Sequence, residues 1–301
     1  MKYHQWLEIW LNNYVKTTCK ARTCNIYTQA VARIIPRLGE YELSELTLSV
    51  LQQFVTDLLA PSIGKPLSAS TVNVTISVLQ NSLKTAHILG HVATYEANKI
   101  RRPKMTEKKV ECFSVLEQKQ IEAHIKGGKK LKFYGIIICL YTGLRLGELL
   151  ALEWNNVNMD ACTLTVEKTC YYLNGERKED APKTANSLRA IPFPKQLLPL
   201  FKELYKARTT KYVIECNGRP VSMRSYQESF SLILNKLKIP HKGFHSLRHT
   251  FATRALECGM DVKTLAELLG HSNPTVTLKR YAHSMLEYKV QMMNKLGKMF
   301  A

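Results

Sequence analysis

Residues 101–109, RRPKMTEKK, separate two stretches of chain with different hydrophobic periods. Five of these nine residues are basic and one is acidic, a proline interrupts them, and their apolar content has no period. Upstream, apolar residues recur at helical spacing, beginning with Trp6, Leu7, Trp10, Leu11 and Tyr14. A second helix is expected over about 22–35, ended by Pro36 and Gly39. A third opens at Ser44 or Thr47, carries Leu48, Leu51, Phe54, Val55, Leu58 and Leu59, and stops before Pro61 and Gly64. Ser68 or Ser70 caps a fourth that runs to about Leu89, with Gly90 as its stop. These signals predict a four-helix unit over 1–100, a basic linker over 101–111 and a second domain over 112–301.

The second domain mixes periods. Helices are expected over 115–125, 132–142 and 144–152, followed by short strands at 154–157, 163–167, 169–173 and 188–191, with Asn174-Gly175 as a turn between strands. Helical spacing resumes after Pro194, apart from 212–214. The fold class is mainly α with a small antiparallel β-sheet.

A length of 301 residues suits about two domains, and 45% hydrophobic residues suffice for packed cores. Lys and Arg number 43 against 24 Asp and Glu, a net charge of +19 that makes a polyanion, nucleic acid by default, the expected partner. The longest uncharged apolar run, 133–144, has the length of a core helix rather than a membrane span. The N-terminus is amphipathic and lacks the apolar core of a signal peptide. None of the eight cysteines forms a CxxC pair, so they read as reduced thiols of a cytoplasmic protein and no metal is assigned to them. The basic linker residues Arg101, Arg102, Lys104, Lys108 and Lys109 suit a strap along a phosphate backbone.

Two regions carry groups suited to a phosphate. In TGLRLGE, Thr142-Gly143 ends one helix and Arg145 falls in the first turn of the next, where free backbone donors favour an anion and a guanidinium can hold two phosphate oxygens. Glu148 shares its face; a surface Arg–Glu pair is the alternative use of both. The second region, 243–283, holds His245, Arg248, His249, His271 and Tyr281. Phe244, Leu247, Phe251, Ala252 and Ala255 mark the buried face of a helix beginning near Gly243, on which His245 and Arg248 can reach one phosphate. His245 and His249 also have metal-ligand spacing, but Ser246 stands where the zinc-protease signature needs Glu and no third ligand is evident. A helix from Val262 ends at Gly270, and His271 opens a turn toward a helix capped near Asn273-Pro274. Tyr281 follows that helix; a tyrosine there can be core, surface or nucleophile.

TGLRLGE, HSLRH, LGH and the tyrosine of YAH, in that order, resemble the signature boxes of the tyrosine recombinase (phage integrase) family, and the resemblance covers most of the chain. It implies a helical, SAM-like core-binding domain, a linker, an α+β catalytic domain and site-specific DNA strand transfer through a 3′-phosphotyrosine, requiring no metal, nucleotide or other cofactor. Arg145 and Arg248 match the paired catalytic arginines, His245 and His271 the catalytic histidines, Glu148 the supporting acid and Tyr281 the nucleophile. Lys183, in APKTANSLRAIPF, matches the family's β-hairpin lysine, ahead of Ser187, Arg189 and Pro192. His249 matches a common residue without a chemical role, and Tyr288 is the rival nucleophile. Leu286, Val290, Met293, Leu296 and Phe300 line one face of a tail helix, which in the family docks on a neighbouring protomer of a tetramer on DNA; packing on its own domain is the alternative.

The resemblance further implies double-stranded recombination sites, accessory proteins that bend DNA or set direction, no membrane, and a bacterial cytoplasm with nucleoid association on DNA. Many relatives carry an extra N-terminal arm-binding domain, which is not expected here because Trp6 already belongs to the first core-binding helix. HVATYEANKIRRPK also lacks the Asn-Pro turn common before the linker. A type IB topoisomerase uses similar residues, and a decayed, inactive DNA-binding protein would keep the charge. A metallohydrolase would depend on metal. From the charge alone, DNA affinity measured between 50 and 200 mM salt should fall by about a thousandfold or more, as expected when several phosphates are neutralised; a flat log–log plot would contradict a polyanion partner.

Overall fold

The computed structural model describes residues 1–62, 64–105, 110–181, 188–271, 273, 275 and 286–300, leaving aside the side chains of 286–289, 291, 292 and 295. Its contacts divide it into two compact units, Met1–Lys108 and Lys109–Ala301.

The first unit is helical. Its elements are α1 (Tyr3–Trp10), continued by a π-helical turn at Leu11–Val15 into α2 (Lys16–Thr18), then α3 (Ala21–Leu38), α4 (Leu48–Leu59) and α5 (Ala69–Ile88). Thr47 and Ser68 cap α4 and α5 with their hydroxyls. Trp6, Ile34, Leu51, Phe54, Ile76 and Leu79 are buried in one core. The polar tips of two aromatics are satisfied inside it, Tyr3 pairing with the Ser82 hydroxyl at 2.7 Å and Trp6 donating to the Ser82 carbonyl at 3.0 Å. Helix α3 runs past Pro36 to Leu38, where the sequence predicts a break. The proline costs one hydrogen bond in the last turn on an exposed face, and burial of Leu38 holds the turn in place.

Ala97 and Ile100 belong to this core, and the chain beyond them is bonded to the same unit. The Arg101 N–H donates to Gln52 Oε1 at 2.9 Å. The Arg102 guanidinium donates to the Asn73 carbonyl, Ser77 Oγ and Gln80 Oε1 at 3.1, 3.1 and 2.7 Å, and Asn73 Nδ2 donates to the Pro103 carbonyl. Residues 101–103 are therefore laid along α4 and α5. Lys108 and Lys109 lie outside the described residues.

The second unit opens with α6 (Val115–Lys126), closed at its start by a reciprocal Ser114–Glu117 capping box. Helix α7 (Tyr134–Thr142) is apolar around most of its circumference and buried along most of its length, and α8 (Leu146–Ala151) follows one turn later. A three-stranded antiparallel sheet of β1 (Val157–Asn158), β2 (Thr163–Val166) and β5 (Arg189–Pro192) pairs Val166 with Arg189 and Leu164 with Ile191. Between β2 and β5 stands a hairpin of β3 (Thr169–Leu173) and β4 (Glu176–Asp180), turned through Asn174 and Gly175, both at positive φ. Strand β4, ERKED, has no apolar residue to announce it; its pairing is set by the turn. The strand expected at 154–157 is instead a 3₁₀ turn over Trp154–Asn156 leading into the two-residue β1. A small hairpin of β6 (Glu215–Cys216) and β7 (Arg219–Pro220) follows α9 (Leu198–Lys206). Among the described residues the remaining α-helices are α10 (Met223–Lys236), α11 (His245–Glu257), α12 (Val262–Leu269) and α13 (Leu286–Met299). Among the described residues no helix is long and apolar enough to cross a membrane.

Candidate active site

The site is built on the C-terminal ends of α7 and α12, the start of α8, strand β5 and the first turns of α11. Both α7 and α12 end in a left-handed glycine, Gly143 at φ 66° and Gly270 at φ 65°. At Gly143 a Cβ would lie 2.5 Å from the Phe251 ring, so position as well as backbone conformation demands glycine.

Arg248 is 2% exposed. Its Nη1 donates to the Gly143 carbonyl at 2.8 Å and its Nη2 to the Leu269 carbonyl at 2.5 Å, so one guanidinium closes both helix ends. Nη2 also lies 3.0 Å from His271 Nε2. A guanidinium can only donate, so as a hydrogen bond this contact has Nε2 as its acceptor. The His271 N–H donates back to the Ala266 carbonyl, fixing the turn that carries the imidazole.

Arg145 is the residue that opens α8 and is partly exposed. Its backbone N–H donates to Glu148 Oε2 at 2.9 Å, and its Nη1 to Oε1 at 2.6 Å. Arg189 of β5 approaches the same carboxylate from the other side, Nη2 to Oε2 at 2.9 Å and Nη1 to Oε1 at 3.3 Å. Each Glu148 oxygen thus accepts once from Arg145 and once from Arg189. Arg189 Nε donates to the Leu268 carbonyl at 2.6 Å. With the chain itself joining Gly143 to Arg145 and Leu268 to Leu269, these contacts close a circuit through Glu148, Arg189 and Arg248.

Burial alone would push the Glu148 carboxyl up; the hydrogen bonds and charge of Arg189, then the charge and N–H of Arg145, outweigh it and hold the group down at about 2. Cys139 of α7 lies near this charge, and burial together with the Glu148 carboxylate pushes its thiol well above its usual range against the pull of Arg248.

His245 begins α11 on its exposed side, and its ring packs edge-on against His249 with centroids 4.6 Å apart. Among the described residues no group of three His, Cys, Asp or Glu side chains could hold a metal ion. The structure therefore brings Arg145, Glu148, Arg248 and His271 into one network, and places His245 one helical turn before Arg248. Lys183 and Tyr281 lie outside the described residues, as does the Tyr288 side chain. Arg101 and Arg102 belong to the first unit; the Arg102 guanidinium is engaged with α5, and Lys104 is exposed. Nothing in the sequence around Arg189 marks it as the second partner of Glu148, because the pairing spans 41 residues and depends on where β5 lies. The anchors of Arg248 are backbone carbonyls, which have no sequence signature.

A family model described as the phage integrase family matches residues 114–287, and one described as the phage integrase N-terminal SAM-like domain matches residues 2–59. A tyrosine recombinase XerC-like protein of Caldanaerobacter subterraneus subsp. tengcongensis is 33% identical over 261 residues, covering 75% of this chain and 66% of that relative, just under two thirds of its length. Among solved structures, the Tn1549 transposon integrase in complex with transposon right end DNA superposes with a TM-score of 0.84 at 22% identity, covering 99% of this chain and 100% of that one. A lambda integrase tetramer bound to a Holliday junction gives 0.70 at 18% identity, covering 91% and 79%.

Because the folded value of Glu148 lies below its ordinary 4.5, its ion pairs stabilise the protein above pH 4.5 and fade as pH falls toward 2. Urea titrations of wild type and Glu148→Gln should differ by about 3 kcal/mol at neutral pH, and the difference should shrink through this window. A difference that does not change with pH would contradict the described ion pairs.

Proposed function

The chain belongs to the phage integrase family, and we propose that it is a site-specific DNA recombinase that integrates or excises a mobile element. The observation that carries this reading is the circuit of contacts that links two arginines and a histidine from separate elements. Attack on a phosphodiester builds charge on the non-bridging oxygens, and preorganised donors there lower the barrier without reorganising. Arg145, Arg248 and His271 are those donors, and Glu148 holds Arg145 in place.

Tyr281 is the nucleophile. A phenol ionises near pH ~10, so it needs a neighbour to take its proton, and His245 is that acceptor. The Tyr281 Oη–phosphorus bond forms as the bond to the 5′ oxygen breaks. Lys183 gives that oxygen its proton. The 3′-phosphotyrosine keeps the bond energy, so a second 5′ hydroxyl can reverse the step and reseal the DNA. The chain's own side chains make these transfers, with no cofactor in the scheme.

The partners are double-stranded recombination sites and, for direction, accessory or DNA-bending proteins in a bacterial cytoplasm. The basic residues of 101–109 supply contacts to the phosphate backbone through Arg101, Lys104, Lys108 and Lys109, with the Arg102 guanidinium anchoring the strap to its own unit. Assembly into a tetramer runs through α13. Val290, Met293, Leu296 and Phe300 are all exposed, Met293 by 65% and Phe300 by 83%, which supports an apolar face offered to a groove on another copy.

Two measurements test this. Nicked duplexes drawn from a random-sequence pool should yield a covalent protein–DNA adduct with wild type and none with Tyr281→Phe; equal adduct from the variant would refute the mechanism. A type IB topoisomerase would instead relax supercoiled plasmid without a selected site. Met293→Glu combined with Leu296→Glu should lower the number of copies per DNA complex, read by native mass spectrometry, while single-copy binding changes by less than about tenfold. An unchanged tetramer would exclude α13 as the docking element.

A further inference from the structure

We propose that Arg189 is a positioning residue for the strand-transfer reaction, setting the α8 half of the site against the α12 half. This rests on the recombinase reading above. The inference starts from how the side chain is used. Arg189 is almost wholly buried, its side chain 6% exposed, and its fork divides between two elements that carry the proposed chemistry. Two of its nitrogens grip both oxygens of Glu148, whose other two hydrogen bonds fix the backbone and guanidinium of Arg145. Its Nε grips the Leu268 carbonyl, three residues before His271.

The fit around it is tight. A Cβ added to Gly270 would lie 3.0 Å from Arg189 Nη1 and 3.2 Å from its Cδ and Cζ. The helix end that turns the chain toward His271 is therefore seated directly on the arginine. The other end of the residue is fixed by the sheet, through pairing of Arg189 with Val166 of β2. The carboxylate is thus held between a partly exposed arginine and a buried one whose fork is taken up by Glu148 and the Leu268 carbonyl.

A buried ion pair is weak evidence of a stabilising role, since well-packed apolar replacements are often as stable. What an apolar side chain cannot reproduce is a planar fork that orients a carboxylate and a carbonyl at once. Loss of the fork leaves Glu148 buried with Arg145 as the remaining arginine described as bonding it, beside the Cys139 thiol of α7, which also feels the charge of Arg248. Its carboxyl then rises from about 2 toward or above its ordinary 4.5 and takes up a proton as pH falls. Protonation frees Arg145 from its guide.

The test uses a duplex selected by covalent capture from a nicked random-sequence pool. Single-turnover adduct formation is followed from pH 8 to pH 5 for wild type, Arg189→Lys, Arg189→Met, and Arg189→Met with Glu148→Gln. Arg189→Met should form adduct about 100-fold more slowly than wild type at saturating DNA, the scale expected for a small misplacement of reacting groups. DNA affinity should stay within about threefold, on the ground that the residue lies away from the surface. The ratio of Arg189→Met to wild type should fall further as pH drops, and this extra dependence should vanish in the double variant, which has no carboxyl to titrate. Arg189→Lys should fall between wild type and Arg189→Met. Should Arg189→Met not fold, the lysine variant carries the same rate and pH readouts. A wild type that yields no adduct refutes the recombinase reading itself. A reactive wild type with an Arg189 variant within twofold of it, or with a ratio unchanged by pH, refutes the positioning role alone.

Discussion

Much of the second unit depends on one buried guanidinium. Arg248 is a charge almost entirely removed from water, which is costly unless each donor is matched. Its two terminal nitrogens reach the Gly143 carbonyl at one helix end, the Leu269 carbonyl at another, and His271. The carbonyls at the ends of α7 and α12 have no helical partners of their own, so the arginine and the two helix ends satisfy one another. A lysine, with a single nitrogen, could not span the same partners. The backbone around the site is thereby held in place by the same side chain that would grip a phosphate.

That coupling explains the arrangement of the rest. Gly143 and Gly270 turn the chain in the left-handed conformation, and the carbonyls of Gly143, Leu268 and Leu269 receive the arginines. Glu148 sits where two arginines would otherwise repel, and each of its oxygens serves both. The pull of those charges, stronger than the opposing effect of burial, keeps the carboxylate ionised over the pH range in which a cell works. Strand β5 brings Arg189 to this point and also ends the segment that contains Lys183.

The helices were legible because their signals are local. Thr47 and Ser68 mark starts, and Gly143 and Gly270 mark stops, each within a turn of where the structure has them. Where neighbours decide, local signals mislead. Pro36 does not end α3, because Leu38 gains more from the core than the last turn loses. ERKED becomes a strand because Asn174-Gly175 folds it back on β3. Trp154 begins a 3₁₀ turn, although its residue type favours a strand. Residues 101–103 have the composition of a free linker yet lie along α4 and α5, because Gln52, Asn73, Ser77 and Gln80 happen to face them.

For the site, the sequence by itself determined which chemical groups are present and their order: the arginines of TGLRLGE and HSLRH, the histidines of HSLRH and LGH, and the family to which they point. It also set the net charge of +19 that makes a polyanion the expected partner, since net charge is a sum over residues and needs no fold. Only the tertiary structure decided which partner each group has. Arg145 and Glu148 are three residues apart and their contact follows from helix geometry. The pairings of Glu148 with Arg189 and of Arg248 with Gly143 span 41 and 105 residues, and the acceptors of Arg248 include backbone oxygens that every residue possesses. Such contacts are set by where β5, α7 and α12 end in space, a product of packing across the whole unit.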